Sequence, residues 1–531
     1  MCGIALVIGD HGRSDELDTM VTGISTRGEV TETFDAPGVF AATRRLRIVD
    51  RENAVQPWRS DDGRWVLCYN GEVYNHAKLR DELRTLGHEF RSESDTEVVL
   101  HAFLEWKDAA ADRLRGEFAF AIVDLESLDT YVARDPLGVR PLHYSFVDGT
   151  LYVASEVKAL VPIGADIRTV TPGHHGWARR GHDIVQLSYF DPFAELHRLG
   201  PITDGADAVA QVRAMLTESI RIRIDTDLPV GVVLSGGLDS SLVLTQVAAQ
   251  HPDVVAFTIG TDDSPDLAYA RRLTRELGVQ HEVVDVDPRR IGMAEIREAV
   301  RVGELDEYGD IINAVVSIPL FQRVHELGLK VILTGDGSDE LFGGYAMYHD
   351  IGTAQAEQLF THKLLNLGRT ELQRVDRSAM AFGVETRVPF LDRELVQLAM
   401  RIPLSLKTSG DQEKWIVRAA AEGLLPEYIR TRPKAGLSYS SGLHDRARLF
   451  KPWFPRIHRS FGYHLHAPIR RDFDSVLRRA DHDLDRALAD GRHELDHTVW
   501  EKSKDMLGAL RWNAQPAVRR MMARKPREIA S

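Results

Sequence analysis

The sequence lacks several features that mark other broad classes of protein. No apolar stretch in its 531 residues approaches the roughly 20 residues of a membrane-spanning helix, so we predict no membrane partner. The N-terminus has no basic segment followed by an apolar one, as a signal peptide has. Only two cysteines are present, Cys2 and Cys68, too few for a disulfide framework; this fits a reducing cytoplasm. A net charge of −13 argues against general nucleic-acid binding.

The composition and the pattern of strand and helix signals predict a multidomain chain. Hydrophobic residues make up 43% of the sequence, enough for large cores. Short strand signals dominate residues 2–190, which predicts α+β layered sheets with covering helices. Strands and helices alternate over residues 205–445, which predicts an α/β doubly wound parallel sheet. Residues 446–531 are helix-rich and carry no motif, so we expect a helical C-terminal extension of the second domain.

Residues 231–241, GVVLSGGLDSS, place a glycine turn between a buried strand and a helix. Such a turn exposes backbone N–H groups at a helix N-terminus, which favours phosphate binding. The turn is not a Walker loop, because no Lys follows the glycines. The pattern Ser-Gly-Gly-x-Asp-Ser resembles the pyrophosphate loop of the ATP-pyrophosphatase family. Members of that family cleave ATP between its α and β phosphates and adenylate a substrate.

Residues 334–345, TGDGSDELFGGY, follow the last predicted strand and concentrate negative charge. The carboxylates of Asp336, Asp339 and Glu340 would repel one another, raising their pKa values or opening the loop, unless a cation neutralises them. Mg²⁺ bound to ATP phosphates is a suitable counter-ion, since it prefers carboxylate and phosphate oxygens. ATP and Mg²⁺ are therefore the predicted cofactors, and a solvated acidic loop is the alternative.

The first residues, MCGIA, place a thiol next to the initiator methionine. If Met1 is removed, the α-amino group of Cys2 can accept the proton of its own thiol. Three further segments follow in order: residues 45–50 (RLRIVD), 68–75 (CYNGEVYN) and 94–97 (SDTE). Together with the N-terminus they resemble the class II glutamine amidotransferase domain over about residues 2–190.

This resemblance implies an N-terminal-nucleophile fold of αββα layers and a glutaminase activity. Cys2 would attack the side-chain amide of glutamine, and Asn70 with the Gly71 N–H would hold the oxyanion. The implied glutamine-binding residues are Arg45, Ile48, Val49, Asn70, Gly71, Glu72 and Asp95. One segment departs from the family, which usually reads His-Arg-Gly-Pro-Asp where residues 26–30 here read TRGEV. Cys68 is predicted to be a core residue.

The second half resembles the synthetase domain of glutamine-dependent asparagine synthetases over about residues 205–445. The segments that carry this resemblance are the two loops above, residues 377–392 (RSAMAFGVETRVPFLD) and residues 413–414 (EK). It implies that a carboxylate attacks the α-phosphorus of ATP, and that ammonia from the first domain then displaces AMP. The partners implied are small molecules, namely glutamine, ATP and a carboxylic acid. The resemblance also suggests a homodimer.

The same resemblance assigns residues to the ATP site. The implied ATP-binding residues are Leu234, Ser235, Gly236, Gly237, Asp239, Ser240, Ile259, Thr334 and Gly335. Asp239 is the implied metal ligand, and Asp339 and Glu340 are further candidates for binding magnesium or for bracing the loop. Lys434 matches the lysine that stabilises charge at the α-phosphate, and Asp336 lies where a base would assist ammonia. Glu385 is open between an active-site group and an ion-pair partner of Arg387.

Departures from the family cluster where the acceptor carboxylate would bind. Ile312, Asn313 and Val315 replace a Thr-Thr pair and an Arg, and residues 435–440 read AGLSYS instead of EQFSDG. A small dicarboxylate needs a cation for its second carboxylate, and the sequence offers no obvious one. The acceptor is therefore open between aspartate and another carboxylic acid of specialised metabolism.

Two other functions are alternatives to this interpretation. A ligase of the β-lactam synthetase type, which closes a ring with an internal amine, resembles the second half. Those relatives lack a working glutaminase, so Cys2, Arg45 and Asn70 argue against it. A catalytically inactive regulatory protein would not need Ser235 or Asp239, and both are present.

Overall fold

The computed structural model describes most of the first 433 residues, and the fold below refers to these. The described residues are 1–164, 166–261, 264–287, 290–305, 308–345, 348, 353–410, 412–433 and 461. Lys434, residues 435–440 and the predicted extension 446–531, except Phe461, lie outside them. No helix among the described residues is both long and apolar enough to cross a bilayer.

The first half contains two antiparallel sheets of six strands each. The first sheet has the order β10-β8-β9-β1-β3-β2, from β1 (Cys2–Ile8), β2 (Val30–Ala36), β3 (Val39–Arg45), β8 (His143–Val147), β9 (Thr150–Ala154) and β10 (Arg168–Thr169). The second has the order β12-β11-β7-β6-β5-β4, from β4 (Trp58–Arg59), β5 (Trp65–Val73), β6 (Gly116–Asp124), β7 (Thr130–Arg134), β11 (His174–Ala178) and β12 (Ile184–Ser188). The helices are α1 (Ser14–Gly23), α2 (His76–Thr85), α3 (Asp95–Trp106), α4 (Ala110–Arg113), α5 (Val157–Leu160) and α6 (Ala194–Leu199).

The alternation of side chains along β1 explains how these layers stack. Ile4 and Leu6 point into a core between the two sheets, whereas Ala5 and Val7 pack toward α1 and α5. On the far side, α2 and α3 cover the second sheet. The αββα architecture expected from the sequence is therefore confirmed. Cys68 lies in the core between the sheets, as predicted.

The second half is built on a parallel sheet of five strands in the order β15-β14-β13-β16-β17. These are β13 (Val230–Val233), β14 (Val254–Ile259), β15 (Gln280–Val284), β16 (Val331–Leu333) and β17 (Glu385–Arg387). Its helices are α7 (Gly205–Arg223), α8 (Leu238–Gln250), α9 (Pro265–Leu277), α10 (Met293–Gly303), α11 (Tyr308–Glu326), α12 (Ser338–Phe342), α13 (Thr353–Asn366), α14 (Glu371–Met380), α15 (Arg393–Arg401), α16 (Leu404–Lys407), α17 (Trp415–Ala420) and α18 (Glu427–Arg430).

Helices cover both faces of this sheet, which confirms the doubly wound arrangement. Val232 and Leu333 pack with α7, α8 and α15, whereas Phe257 and Ile332 pack with α10 and α11. The strand order reverses between β13 and β16, so a crevice opens at their carboxyl ends. The boundaries between domains, at 190–205 and 445–446, stay predictions.

Buried ion pairs join the two halves. Arg27 contacts Asp376 at 2.8 Å, and Arg223 contacts Glu117 at 3.0 Å. Arg140 also donates to Glu117, at 2.7 Å, and each of these side chains is almost fully buried. Because a charge left unpaired in such an interior is costly, the halves are held in a specific register.

Glu117→Gln is expected to lower the free energy of unfolding by about 3 kcal/mol, because it leaves two buried guanidinium groups short of charge. Urea unfolding of the wild-type protein and of each variant measures the change in the free energy of unfolding. The matched control is Glu218→Gln, which breaks an exposed ion pair with Arg221 and should cost less than about 1 kcal/mol. Equal midpoints for both variants would show that the network does not stabilise the assembly.

Candidate active site

The first site lies where β1 begins beside the end of β3, because the strands pair Cys2 with Arg45. Cys2 is buried, and its backbone N–H donates to Asn70 Oδ1 at 3.0 Å. The amide nitrogen Nδ2 of Asn70 is buried and has no hydrogen-bond partner among the described residues. A buried donor without a partner beside a thiol is suited to an oxyanion that forms during a reaction. Burial raises the pKa of the Cys2 thiol.

A cavity of about 30 Å³ lies beside Cys2. Its lining includes the predicted residues Arg45, Ile48, Val49, Gly71, Glu72 and Asp95. Six other lining residues were not among the predicted glutamine-binding residues. Leu46, Tyr69, Ser94 and Thr96 belong to the segments that carry the resemblance, whereas Ala54 and Gln56 lie outside them. Met1 also lines the cavity and is buried. A cavity of this volume holds about two waters. A larger ligand would fit only if Met1 were removed or displaced.

The pocket contains two carboxylates, Asp95 and Glu72, in different environments. Asp95 opens α3, and its Oδ2 accepts the Tyr69 hydroxyl at 2.6 Å and the Val73 N–H at 3.0 Å. Burial, and then the negative charge of Asp95, raises the pKa of Glu72 well above its ordinary value. A side chain at Gly71 would come within 2.4 Å of a backbone carbonyl of β6, so this position needs glycine.

Strand β17 belongs to the second half and reaches the first site. Arg387 contacts Glu72 at 3.6 Å and binds Glu385 at 2.7 Å, so Glu385 is the ion-pair partner of Arg387. Glu385 also accepts the terminal amine of Met1. The backbone carbonyl of the same residue, Arg387, accepts the N–H of Thr334 at 3.1 Å. Strand β17 thus contacts the Cys2 pocket through the side chains of Glu385 and Arg387, and the end of β16 through the Arg387 carbonyl.

The second site is a cavity of about 350 Å³ at the carboxyl ends of β13, β14 and β16. Of the predicted residues, Ser235, Gly237, Asp239, Ser240, Ile259, Thr334, Gly335, Asp336 and Asp339 line it. Leu234 does not line the cavity, because its side chain is turned into the core below the loop. Gly236 also stays outside the lining; its carbonyl accepts Arg432 Nη1 at 2.7 Å.

The glycine turn has the strand–turn–helix geometry that the sequence predicts for a phosphate cradle. Ser240 Oγ in the first turn of α8 accepts the N–H of Ser235 at 3.1 Å, which folds the turn back on the helix. Gly236 has a positive φ of 69°, and a Cβ there would lie 2.7 Å from the backbone oxygen of Asp266. The turn is therefore tight against α9, and its shape depends on glycine.

Gly236→Ala is expected to weaken nucleotide binding at least about tenfold, because the clash with α9 must displace the turn. Gly278→Ala is the matched control. Gly278 has a nearly equal φ of 68° but no heavy atom within 4 Å of an added Cβ. Titration of ATP into each variant by calorimetry compares them. Equal affinities would contradict the need for close approach at Gly236.

Lys414 joins the two predicted metal ligands. Its Nζ lies 2.5 Å from an oxygen of Asp239 and 2.5 Å from an oxygen of Asp339. No group of three or more His, Cys, Asp or Glu side chains that could hold a metal occurs in the described part of the chain. The two carboxylates that flank the Lys414 ammonium group nevertheless fit Mg²⁺, because this ion binds one or two carboxylates together with substrate phosphates.

The acidic segment carries the raised pKa that its sequence predicts. Burial, and then the charges of Glu371 and Asp339, raises the pKa of Glu340 to about 8. Tyr345 donates a hydrogen bond to Glu340, and both residues line the cavity. Glu340 is therefore partly neutralised by a proton, whereas Asp339 is neutralised by Lys414.

The cavity wall near α11 and α14 corrects two readings of the sequence. Arg374 lines the cavity and contacts Asp336 at 3.0 Å, so a cation is present that the sequence did not reveal. Ile312 and Val315 are buried in the core on the other face of α11. Asn313 alone of the three departures lines the cavity. The substitutions at 312 and 315 therefore change the core and leave the cavity wall intact.

Comparisons with known proteins agree with this architecture. Residues 1–172 match the family model of a glutamine amidotransferase domain, and residues 211–359 and 351–479 match that of asparagine synthase. The chain is 33% identical over 437 residues to asparagine synthetase B (glutamine-hydrolyzing) of Escherichia coli K12, covering 77% of each chain. It is 32% identical over 493 residues to asparagine synthetase (glutamine-hydrolyzing) 3 of Arabidopsis thaliana, covering 84% of this chain and 81% of that one.

Identity at this level over most of both chains, with both domain models matched in order, assigns the family. The chain belongs to the glutamine-hydrolysing asparagine synthetase family.

Proposed function

We propose that this chain transfers the amide nitrogen of glutamine to the side-chain carboxylate of aspartate and consumes ATP, forming asparagine, glutamate, AMP and pyrophosphate. The observation that carries the proposal is the contact of β17 with both sites. Arg387 meets Glu72 in the thiol pocket, and its carbonyl binds Thr334 in the phosphate-loop cavity. Two sites built on one short strand suit two reactions that share an intermediate.

In the first reaction, Cys2 is the nucleophile. Removal of Met1 would free the Cys2 amine to accept the thiol proton and would open space in the pocket. The thiolate attacks the glutamine amide, and the unpaired Nδ2 of Asn70 with the Gly71 N–H stabilises the oxyanion. Arg45 binds the α-carboxylate, and Asp95 with Glu72 receives the ammonium group. Ammonia leaves, and water releases glutamate from the thioester.

In the second reaction, the cradle at Ser235, Gly237 and Ser240 holds the pyrophosphate end of ATP. Mg²⁺ supplies charge neutralisation for the phosphates, and Asp239 and Asp339 would hold it. The acceptor carboxylate attacks the α-phosphorus, which releases pyrophosphate and leaves an acyl-adenylate. Ammonia attacks the acyl carbon and expels AMP, and Asp336 takes a proton from the nitrogen. Lys434 is proposed to stabilise charge at the α-phosphate.

Aspartate is the acceptor we favour, because Arg374 can pair with its second carboxylate. The buried positions of Ile312 and Val315 remove part of the objection that the sequence raised. Another carboxylic acid is the second candidate, since Arg374 is already engaged by Asp336 and the family Thr-Thr-Arg set is missing. A homodimer, a cytoplasmic location and the lack of nucleic-acid partners remain predictions from the sequence.

The experiment measures release of AMP and pyrophosphate with glutamine, ATP and Mg²⁺, with and without aspartate, and identifies the product by mass spectrometry. The proposal expects AMP that depends on aspartate, and asparagine in equal amount. Glutamine hydrolysis without AMP that depends on aspartate would reject aspartate as acceptor and would favour the second candidate.

A further inference from the structure

We propose that Glu32 is a positioning residue of the glutamine site, which orients the Arg45 guanidinium toward the α-carboxylate of glutamine. The inference rests on the proposed glutaminase function and adds a residue to it. Glu32 lies on β2, which is separated from β1 by β3, and its side chain does not line the Cys2 cavity. It would therefore act on the substrate through Arg45.

Glu32 holds one edge of the Arg45 side chain. Arg45 Nε donates to Glu32 at 3.1 Å, and the Arg45 side chain is 5% exposed beside a Glu32 side chain that is 16% exposed. A second bond, from Arg45 Nη1 to the carbonyl of Arg51, measures 3.1 Å. A pair this shielded from solvent keeps its geometry better than a surface ion pair.

These two bonds leave the carboxylate-binding end of the guanidinium available. A guanidinium has five N–H donors, and Glu32 and Arg51 use one on Nε and one on Nη1. The three remaining donors are both on Nη2 and one on Nη1, and one N–H from each of these two nitrogens can bind a carboxylate in a bidentate fashion. Glu32 thus fixes the plane of the fork and leaves its open end for a ligand.

The second carboxylate oxygen of Glu32 fixes another wall of the same pocket. It accepts the backbone N–H of Gln56 at 2.8 Å, and the Gln56 side chain accepts the N–H of Tyr69 at 2.9 Å. Gln56 and Tyr69 both line the cavity with Arg45. One carboxylate therefore sets the relative position of the guanidinium and of the segment that faces it.

The local sequence gives a reason for this arrangement. Residues 26–30 read TRGEV, so Val30 stands where the usual His-Arg-Gly-Pro-Asp segment has Asp, and the neighbouring Glu29 pairs with Lys330. Val30 is opposite Arg45 in the pairing of β2 with β3, and Glu32, opposite Thr43, lies diagonally from Arg45 on the same face of the sheet. We infer that Glu32 supplies an acidic group for Arg45 in a chain whose preceding loop carries none at position 30.

The test compares Glu32→Ala, Glu32→Gln and Arg45→Ala with the double variant Arg45→Ala/Glu32→Ala, using glutamine hydrolysis as the readout. Glu32→Ala is expected to raise the KM for glutamine about tenfold and to change kcat less than about twofold. Glu32→Gln keeps an acceptor for Arg45 and should recover part of the loss. In the Arg45→Ala background, Glu32→Ala should have no further effect, because the two residues act as one unit.

The matched control is Asp35→Asn, an exposed acidic residue on the same strand, which should leave KM unchanged. Thermal unfolding of each variant separates positioning from loss of structure. An unchanged KM in Glu32→Ala, an additive loss in the double variant, or a fall in kcat that parallels unfolding would overturn the inference. Absence of glutamine hydrolysis in the unsubstituted protein would instead reject the proposed function.

Discussion

Cys2→Ala is expected to reduce glutamine-dependent amide formation by at least about a thousandfold, because it removes the nucleophile of the first reaction. Synthesis with ammonia as the nitrogen source should continue, since the cavity at β13 and β16 does not include Cys2. The measurement is product formation with glutamine and, in parallel, with ammonium chloride at a pH where free ammonia is present.

The chain offers its other cysteine as the control. Cys68 is also fully buried, but it lies in the core between the two sheets and does not line the Cys2 cavity. Burial raises its pKa to about 12, so its thiol stays protonated. Cys68→Ala should therefore keep glutamine hydrolysis, with only a loss of stability. Equal glutaminase rates for the Cys2 and Cys68 variants would contradict the assignment of the nucleophile.

Asp239→Asn is expected to reduce AMP formation at least about a hundredfold, with either glutamine or ammonia as nitrogen source. Asp239 lies in the first turn of α8, where Lys414 and Ser338 hold its two oxygens at 2.5 Å and 2.7 Å. Loss of its charge removes half of the pair of carboxylates proposed to hold Mg²⁺. Glutamine hydrolysis should persist, because Cys2 and its pocket are unaffected.

Exposed Asp253, in the loop between α8 and β14, provides the matched control, and Asp253→Asn should keep AMP formation. Binding of Mn²⁺ in the presence of ATP, followed by electron paramagnetic resonance, gives a readout that does not depend on turnover. Wild-type affinity for Mn²⁺ and normal AMP formation in Asp239→Asn would both contradict the proposed ligand role.

These two variants together test whether the halves can be separated. The Cys2 variant should lose only the use of glutamine, and the Asp239 variant should lose only the use of ATP. Variants at β17 should impair the use of both glutamine and ATP. Arg387 and Glu385 touch the thiol pocket, and the same strand also binds Thr334.

Local motifs could be read from the sequence because each carries its own backbone geometry. The Ser-Gly-Gly turn had to follow a strand and open a helix, and β13 and α8 are built in this way. Positions of this kind depend on neighbours in sequence, which the chain itself supplies.

Features that depend on distant parts of the chain could not be read in this way. Strand β17 has the sequence ETR and is fully buried, yet two of its three residues are charged, so its composition does not indicate a strand. Its two charges pair with each other and with Met1 and Glu72 of the other half. Helix α11 gave the opposite error, since Ile312 and Val315 were assigned to the cavity and pack in the core.

The contacts of the cationic residues in the second cavity could not be read for the same reason. Lys414 belongs to a segment that carries the family resemblance and Arg374 to none, but both are far in sequence from the carboxylates that they contact. Only the fold brings them to the carboxyl ends of β13 and β16. The charge balance of the site is therefore a property of tertiary structure.

The most direct test of the central claim follows the nitrogen atom. The protein is incubated with ATP, Mg²⁺, aspartate and glutamine labelled with heavy nitrogen in its side-chain amide, in a buffer that contains unlabelled ammonium. The account predicts asparagine that carries the heavy isotope and AMP in equal amount. Hydrolysis of glutamine without labelled amide product and without AMP would contradict the claim that the two sites work as one enzyme.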